Sequence, residues 1–210
     1  VHNPNARLPF AITKEQYLKA SMVAAPINLL DASPIGDGAA AALIVPLDMV
    51  RNKKQAIRIA GSGSATDTLS IHSRKKPLFL QAAYLSAQQA YKQAGITQDD
   101  IDFFELHDAF SIMSALSLEA AGFAEQGQGP RLALDNEITP KGGRIPICTR
   151  GGLKGRGHPV GATGMYQIVE AVQQLRGECG ETQVIGAKIG MTQNIGGSGA
   201  SILTHILTKA

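Results

Sequence analysis

The sequence predicts an α/β protein built on a mixed sheet flanked by helices. Three observations point to it. From residue 56 onward, strand-like and helix-like segments alternate as strand, helix, strand, helix, strand, strand, a pattern that needs crossover connections. Three turns bearing Gly or His fall where strands should end: HDAF at 107–110, GGLKGRGHPVGATG at 151–164 and NIGGSG at 194–199. In α/β folds functional groups gather at such ends. The third observation is composition: 23 glycines with few aromatic residues suit backbone-lined sites rather than a repeat protein or a disordered tail.

In chain order, 1–30 is an extended, Pro-punctuated segment with one short helix at 13–20. Thr13 is its N-cap, and Gln16 closes a capping box. These thirty residues have no core of their own, which predicts that other chain, upstream or separate, packs with them. Residues 39–46 (AAAALIVP) are a small apolar run that reads as a buried strand, and 48–54 suggest an exposed helical turn. A second unit opens with a strand at 56–63. Helix 78–94 follows, with Ala83, Ala87, Ala90 and Ala94 on one small-residue face and Gly95 as its stop. A strand at 101–106 leads to His107 and Asp108, then to a helix over 109–121. The short piece RIPIC enters the 151–164 loop. Helix 162–176 shows an apolar face of Ile168, Val172 and Leu175, and two strands, 184–191 and 200–207, close the chain.

Several classes are excluded early. A net charge of +3 with scattered basic residues argues against nucleic acid, and the one tight cluster, Arg74 to Lys76, suits an anionic small ligand or a solvated surface. No stretch is long enough to cross a bilayer, and no secretory leader is visible. Two cysteines make no disulfide framework, so a reducing cytoplasm is the expectation. Neither His turn has metal-ligand spacing, so no metal is expected. No GxxxxGK[ST] phosphate loop occurs, and NIGGSG precedes a strand rather than a helix, against a dinucleotide loop.

The 151–164 loop has two readings on spacing alone. Glycines let a ligand approach the backbone, Pro159 stiffens the chain beside His158, and a following helix offers free N–H groups. That suits an imidazole held over a substrate. It also suits a tight loop-to-helix turn whose His is merely exposed.

The four segments SPIGDGAAAALIV, HDAF, GGLKGRGHPVGATG and NIGGSGAS resemble the thiolase superfamily, collinearly and over the whole chain. The resemblance is closest to archaeal and sterol-carrier-protein-type thiolases, where HD replaces the NE of commoner enzymes, and it covers the second half of such a protein. It implies a layered α/β/α fold with a mixed five-stranded sheet in 55–210. Residues 1–30 are then the end of a CoA-binding loop region, and 31–54 the last strand and turn of a first-half domain. The implied activity is acyl transfer to or from coenzyme A, with Claisen condensation or its reverse; CoA is a substrate and no cofactor is implied.

The implied roles follow the motifs. His158 activates a nucleophilic thiol and donates to the thioester oxyanion of the acyl acceptor; His107 stands where an Asn orients water in the same oxyanion hole. The Gly196 backbone N–H binds the acyl-enzyme oxyanion, and Ser33 touches the pantetheine arm. Gly157 lies at the CoA site, and Lys154 and Arg156 either meet CoA phosphates or are solvated loop charges. Two departures matter. Relatives place an acid/base Cys where this chain has Asn194, or at the third position of HDCF, here Ala109. Asn194 takes no proton at neutral pH.

The nucleophilic Cys is expected from an N-terminal half, as a companion chain or a cleaved piece, with a dimer or tetramer of the whole. An OB-fold, zinc-bearing partner is also implied. The rival reading is a catalytically silent subunit that binds CoA esters or partner enzymes. Cys148 is read either as a buried small hydrophobe or as a substitute base, Cys179 as a surface residue, and His72 and His205 as structural.

Overall fold

The computed structural model describes residues 1–210, the side chain of Lys54 apart. Its elements in chain order are α1 (Lys14–Lys19), β1 (Met22–Ala24), β2 (Ile27–Asn28), β3 (Ile57–Thr66), α2 (Gln81–Ala94), β4 (Phe103–Glu105), α3 (Ser111–Ala120), α4 (Gly129–Leu134), α5 (Gly152–Arg156), α6 (Thr163–Arg176), β5 (Ile189–Gly196) and β6 (Ser201–Lys209). The main sheet has the order β3-β6-β5-β4. β6 runs antiparallel to both β3 and β5, whereas β4 is parallel to β5, so the sheet is mixed. It has four strands rather than five. The fifth position, beside β4, holds only a parallel bridge from Phe104 to Ile147 in the RIPIC piece. Among the described residues, no helix is long and apolar enough to cross a membrane.

Strand parity sorts the core onto two faces. Phe104, Met191 and Ile206 point toward α2 and α3, in a cluster with Ala87, Ala90, Tyr91, Leu106 and Leu118. Phe103 and Leu207 point the other way, to Ala171 and Leu175 of α6. The alanine face of α2 does pack closely. A Cβ on Gly61 or Gly63 of β3 would collide with the backbone carbonyls of Ala90 and Ser86. The predicted helix signals hold: Thr13 and Gln16 form the reciprocal capping box, and Gly95 ends α2 at φ 72°.

Four expectations change. Residues 39–46 form no strand; the run pairs with no described residue, and Leu43 and Ile44 are 89% and 73% exposed. A strand is defined by its ladder, and this segment has none. β5 begins later than the apolar run suggests, because Gly186 at φ 79° turns the chain first; Asn194 therefore lies inside the strand, not in the following turn. The apolar stripe of α6 is only part of its buried face: Leu175 is buried with Ala171, but Thr163, Gln167, Glu170 and Gln174 also face inward, and Ile168 and Val172 are only half buried. Cys179 is 5% exposed rather than on the surface, because Gln183 accepts its backbone N–H and folds 179–184 against α6.

Candidate active site

The site forms where β4 and β5 end under α6. Phe103, Glu105 and His107 alternate onto the α6 side, as do Gly190, Thr192 and Asn194 of β5. The sheet thus delivers His107 and Asn194 to one face. Asn194 Nδ2 lies 3.2 Å from His107 Nδ1 and donates to Gln167 Oε1 at 3.1 Å. Gly164 lets the asparagine sit under α6: a Cβ there would press its side chain at 3.1 Å.

The second histidine comes from the 151–164 loop, which contains the short helix α5. Gly152, at φ 56°, leaves room for the Asp108 carboxylate; a Cβ would stand 2.5 Å from it. Asp108 accepts from Leu153 N at 2.7 Å and from Lys154 N at 3.3 Å, tying the HDAF turn to the start of α5. A second tie is the segment 32–36. Ser33 N donates to Ala109 O at 2.9 Å, and His158 N donates to Pro34 O at 2.8 Å. Bridges from Ala32 to Phe110 and from Ile35 to His158 complete this strap. Held from both sides, the rings of His107 and His158 meet edge to face, with centroids 5.3 Å apart.

Their environments differ. His107 is 7% exposed, and burial, with His158 and Arg156 nearby, pushes its pKa down to about 4. It is a neutral imidazole at pH 7. His158 is half buried; burial and Arg156 lower its pKa, opposed by Asp108. Its Nδ1 lies 2.7 Å from Thr163 Oγ1, whose hydroxyl donates to Pro159 O at 3.0 Å.

The remaining expected residues divide. Gly196 ends β5, two residues past Asn194 on the same face. Ser33 sits in the strap. Gly157 at φ 106° closes α5, with Arg7 Cδ 3.4 Å from where its Cβ would be. Lys154 and Arg156 both make contacts within the protein. Lys154 Nζ donates to Ser111 Oγ at 2.6 Å beside Asp108 and Asp31, and burial lowers its pKa. Arg156 pairs with Glu170 at 2.9 Å, both side chains under 10% exposed, and stacks on Tyr166 at 4.7 Å. In this structure both heads are engaged by contacts within the protein. Arg74 is buried on Asp67 and Thr68, which leaves Lys75 and Lys76 alone at the surface.

Cys148 is half buried at φ 45°, a region unusual for a residue with a side chain. Burial beside Asp108 and Glu105 holds its thiol well above the ordinary value. It is therefore no ready base. His205 is half buried on β6, and His72 is exposed.

Sequence reasoning missed Thr163, Gln167 and Arg7. Thr163 and Gln167 fall on a helix face that periodicity marks as polar and hence outward. Strand parity and the i, i+4 spacing of 163 and 167 were the signals that could have found them. Arg7, exposed in the extended arm, lies over Gly36 and Gly157, a proximity that only the folded arm creates.

Residues 63–209 match the family model described as thiolase C-terminal domain-like. The chain belongs to that family. Among relatives, the acetyl-CoA acetyltransferase of Methanothermobacter thermautotrophicus is 46% identical over 209 residues, which are 99% of this chain and 54% of the relative. Sterol carrier protein 2 of Homo sapiens is 35% identical over 210 residues, 97% of this chain and 38% of the relative. The thiolase-like chain thus spans about half the length of the archaeal relative. The solved structure of an Ltp2-ChsH2(DUF35) aldolase superposes with a TM-score of 0.82 over 99% of this chain and 54% of its own, at 24% identity, which speaks for the fold.

Proposed function

We propose that this chain supplies the acid/base and oxyanion side of a thiolase-type acyltransferase whose nucleophilic thiol comes from a first-half segment. The observation that carries the reading is the pair of imidazoles in edge contact at 5.3 Å, one deeply buried and one half open. With the Thr163 hydroxyl proton directed to Pro159 O, its oxygen accepts Nδ1–H of His158. Nε2 of His158 then carries the free lone pair. It removes the proton from the incoming thiol, and the thiolate attacks the acyl-CoA carbonyl. The C–S bond to CoA breaks and the proton returns to the departing CoA sulfur. The Nε2–H of His107, the Nε2–H that His158 gains with the thiol proton, and the Gly196 N–H are the donors proposed for developing oxyanions.

In this reading Ser33 and Gly157 line the approach of the pantetheine arm. Lys154 and Arg156 hold the loop instead of the ligand. The first half docks on the exposed run 39–46 and on the groove between it, β3 and the Ile168 and Val172 face of α6. An unpaired apolar run and a half-covered helix stripe are what a missing sheet partner would bury. Dimer or tetramer formation, a cytoplasmic site and an OB-fold, zinc-bearing partner belong to the same proposal.

One observation favours a second reading, a silent subunit: Asn194 and Ala109 stand where relatives carry the Cys that deprotonates the acceptor. Acetoacetyl-CoA thiolysis by the complete assembly separates the two. For an enzyme, His158→Ala should lower kcat by about 10³-fold, the scale of a lost acid/base group. CoA binding without turnover in every preparation would support the silent subunit.

A further inference from the structure

We propose that Gln167 and Asn194 are positioning residues that hold His107 in one tautomer, with its proton on Nε2 and its Nδ1 lone pair facing Asn194. This deepens the acyltransferase reading and rests on it only where it concerns rate.

The argument starts from two backbone carbonyls. Gln167 Nε2 donates to Glu105 O at 3.2 Å and to Gln193 O at 3.0 Å. Those oxygens belong to neighbouring parallel strands, β4 and β5. Carbonyls only accept, so the amide nitrogen of Gln167 must point at them and its Oε1 must point away. Turning the amide over would set oxygen against oxygen twice, in a residue 1% exposed. Oε1 therefore accepts, and the atom 3.1 Å from it must be the Asn194 nitrogen. That orientation aims the second Nδ2 proton at His107 Nδ1, 3.2 Å away. A nitrogen that receives a proton donor cannot carry a proton of its own, so the neutral ring is protonated at Nε2. Sheet backbone, glutamine, asparagine and imidazole form one relay in which each orientation is forced by the one before it.

The consequence is a donor that does not have to choose. A free imidazole divides its proton between two nitrogens, and the fraction protonated at Nδ1 would present a lone pair to an oxyanion. The relay removes that population. It also explains an Asn at 194 without asking it to exchange a proton.

The test reads the tautomer directly. Two-bond 1H–15N correlation spectra of the protein labelled with 15N-histidine report which ring nitrogen is protonated, and the His107 signals are identified by their loss in His107→Asn. In the wild type, His107 should be the neutral Nε2–H form from neutral pH down to about pH 5. In Asn194→Asp the carboxylate accepts instead of donating, so the ring should change to Nδ1–H or become an imidazolium. Gln167→Leu releases Asn194 and should yield a mixture of both tautomers. Thiolysis kcat in Asn194→Asp should fall by about 10²-fold with KM changed little, the scale of one misdirected oxyanion donor. A wild-type ring protonated at Nδ1 overturns the proposal, and so does an unchanged Nε2–H tautomer in Asn194→Asp. The wild-type spectrum decides even if both variants fail to fold. The predicted tautomers in a protein without thiolase activity would remove the acyltransferase reading and leave the relay standing.

Discussion

The two faces of the sheet differ in how much buried polarity they carry. Toward α2 and α3 the core is mostly apolar and close, with one small polar set of Ser86, Gln193 and Thr204: alanines of α2 lie on glycines of β3, and Phe104, Leu106, Met191 and Ile206 fill the layer. Toward α6 the buried helix face joins the apolar Ala171 and Leu175 to a polar set, Thr163, Gln167, Glu170 and Gln174, set over Glu105, His107 and Asn194. Apolar packing is non-directional and tolerates any filler of the right volume. Hydrogen bonds are directional, and a buried polar group left unpaired costs about 1–3 kcal/mol. The first face holds the sheet together. The second spends buried polarity on orientation, which is what a pair of imidazoles requires.

The largest effect that would break this comparison lies on the dry face. Gly61→Val has no room against the Ala90 carbonyl and should cost about 3 kcal/mol by urea unfolding. A loss under about 1 kcal/mol would mean that this face yields as readily as a loosely packed one.

The polar face should reveal itself through pH. His107 is pushed from 6.5 to about 4 in the folded protein. Below its unfolded value the unfolded chain takes a proton that the folded ring refuses. Stability should therefore fall as pH drops from about 6.5 to 4, by about 3 kcal/mol in all. His107→Asn should flatten that slope in melting curves taken across the range; an identical slope would mean that another group controls it.

The smallest effect on stability concerns a third surface, the apolar run beside α6. Ile44 is 73% exposed, so Ile44→Asp should change unfolding by no more than about 0.5 kcal/mol. The same variant should abolish co-purification with the first-half segment. Retained association would move that interface elsewhere.

Motif and periodicity made much of this legible. The capping box of Thr13 and Gln16 and the glycine stop at 95 are local codes, readable without tertiary structure. The alanine spacing of α2 announced close packing, and the GHP and HDAF segments marked both histidines. Lys154 and Arg156 looked like ligands because a sequence displays charge and hides its partners. Glu170, 14 residues along the chain from Arg156, becomes its counter-ion only when α5 and α6 fold against each other.

The sequence by itself determined the order of the sheet strands and long helices from residue 56 onward, the two histidine-bearing turns and the family, since these rest on local pattern and collinear motifs. The tertiary structure alone decided which face of α6 is buried, where β5 begins (Asp102 accepts from Lys188 N and Ile189 N there), and which side chain faces Nδ1 of His107. The physical reason is shared by all three. Each depends on a hydrogen bond between residues distant in the chain, and a polar side chain has no direction until the fold supplies its partner.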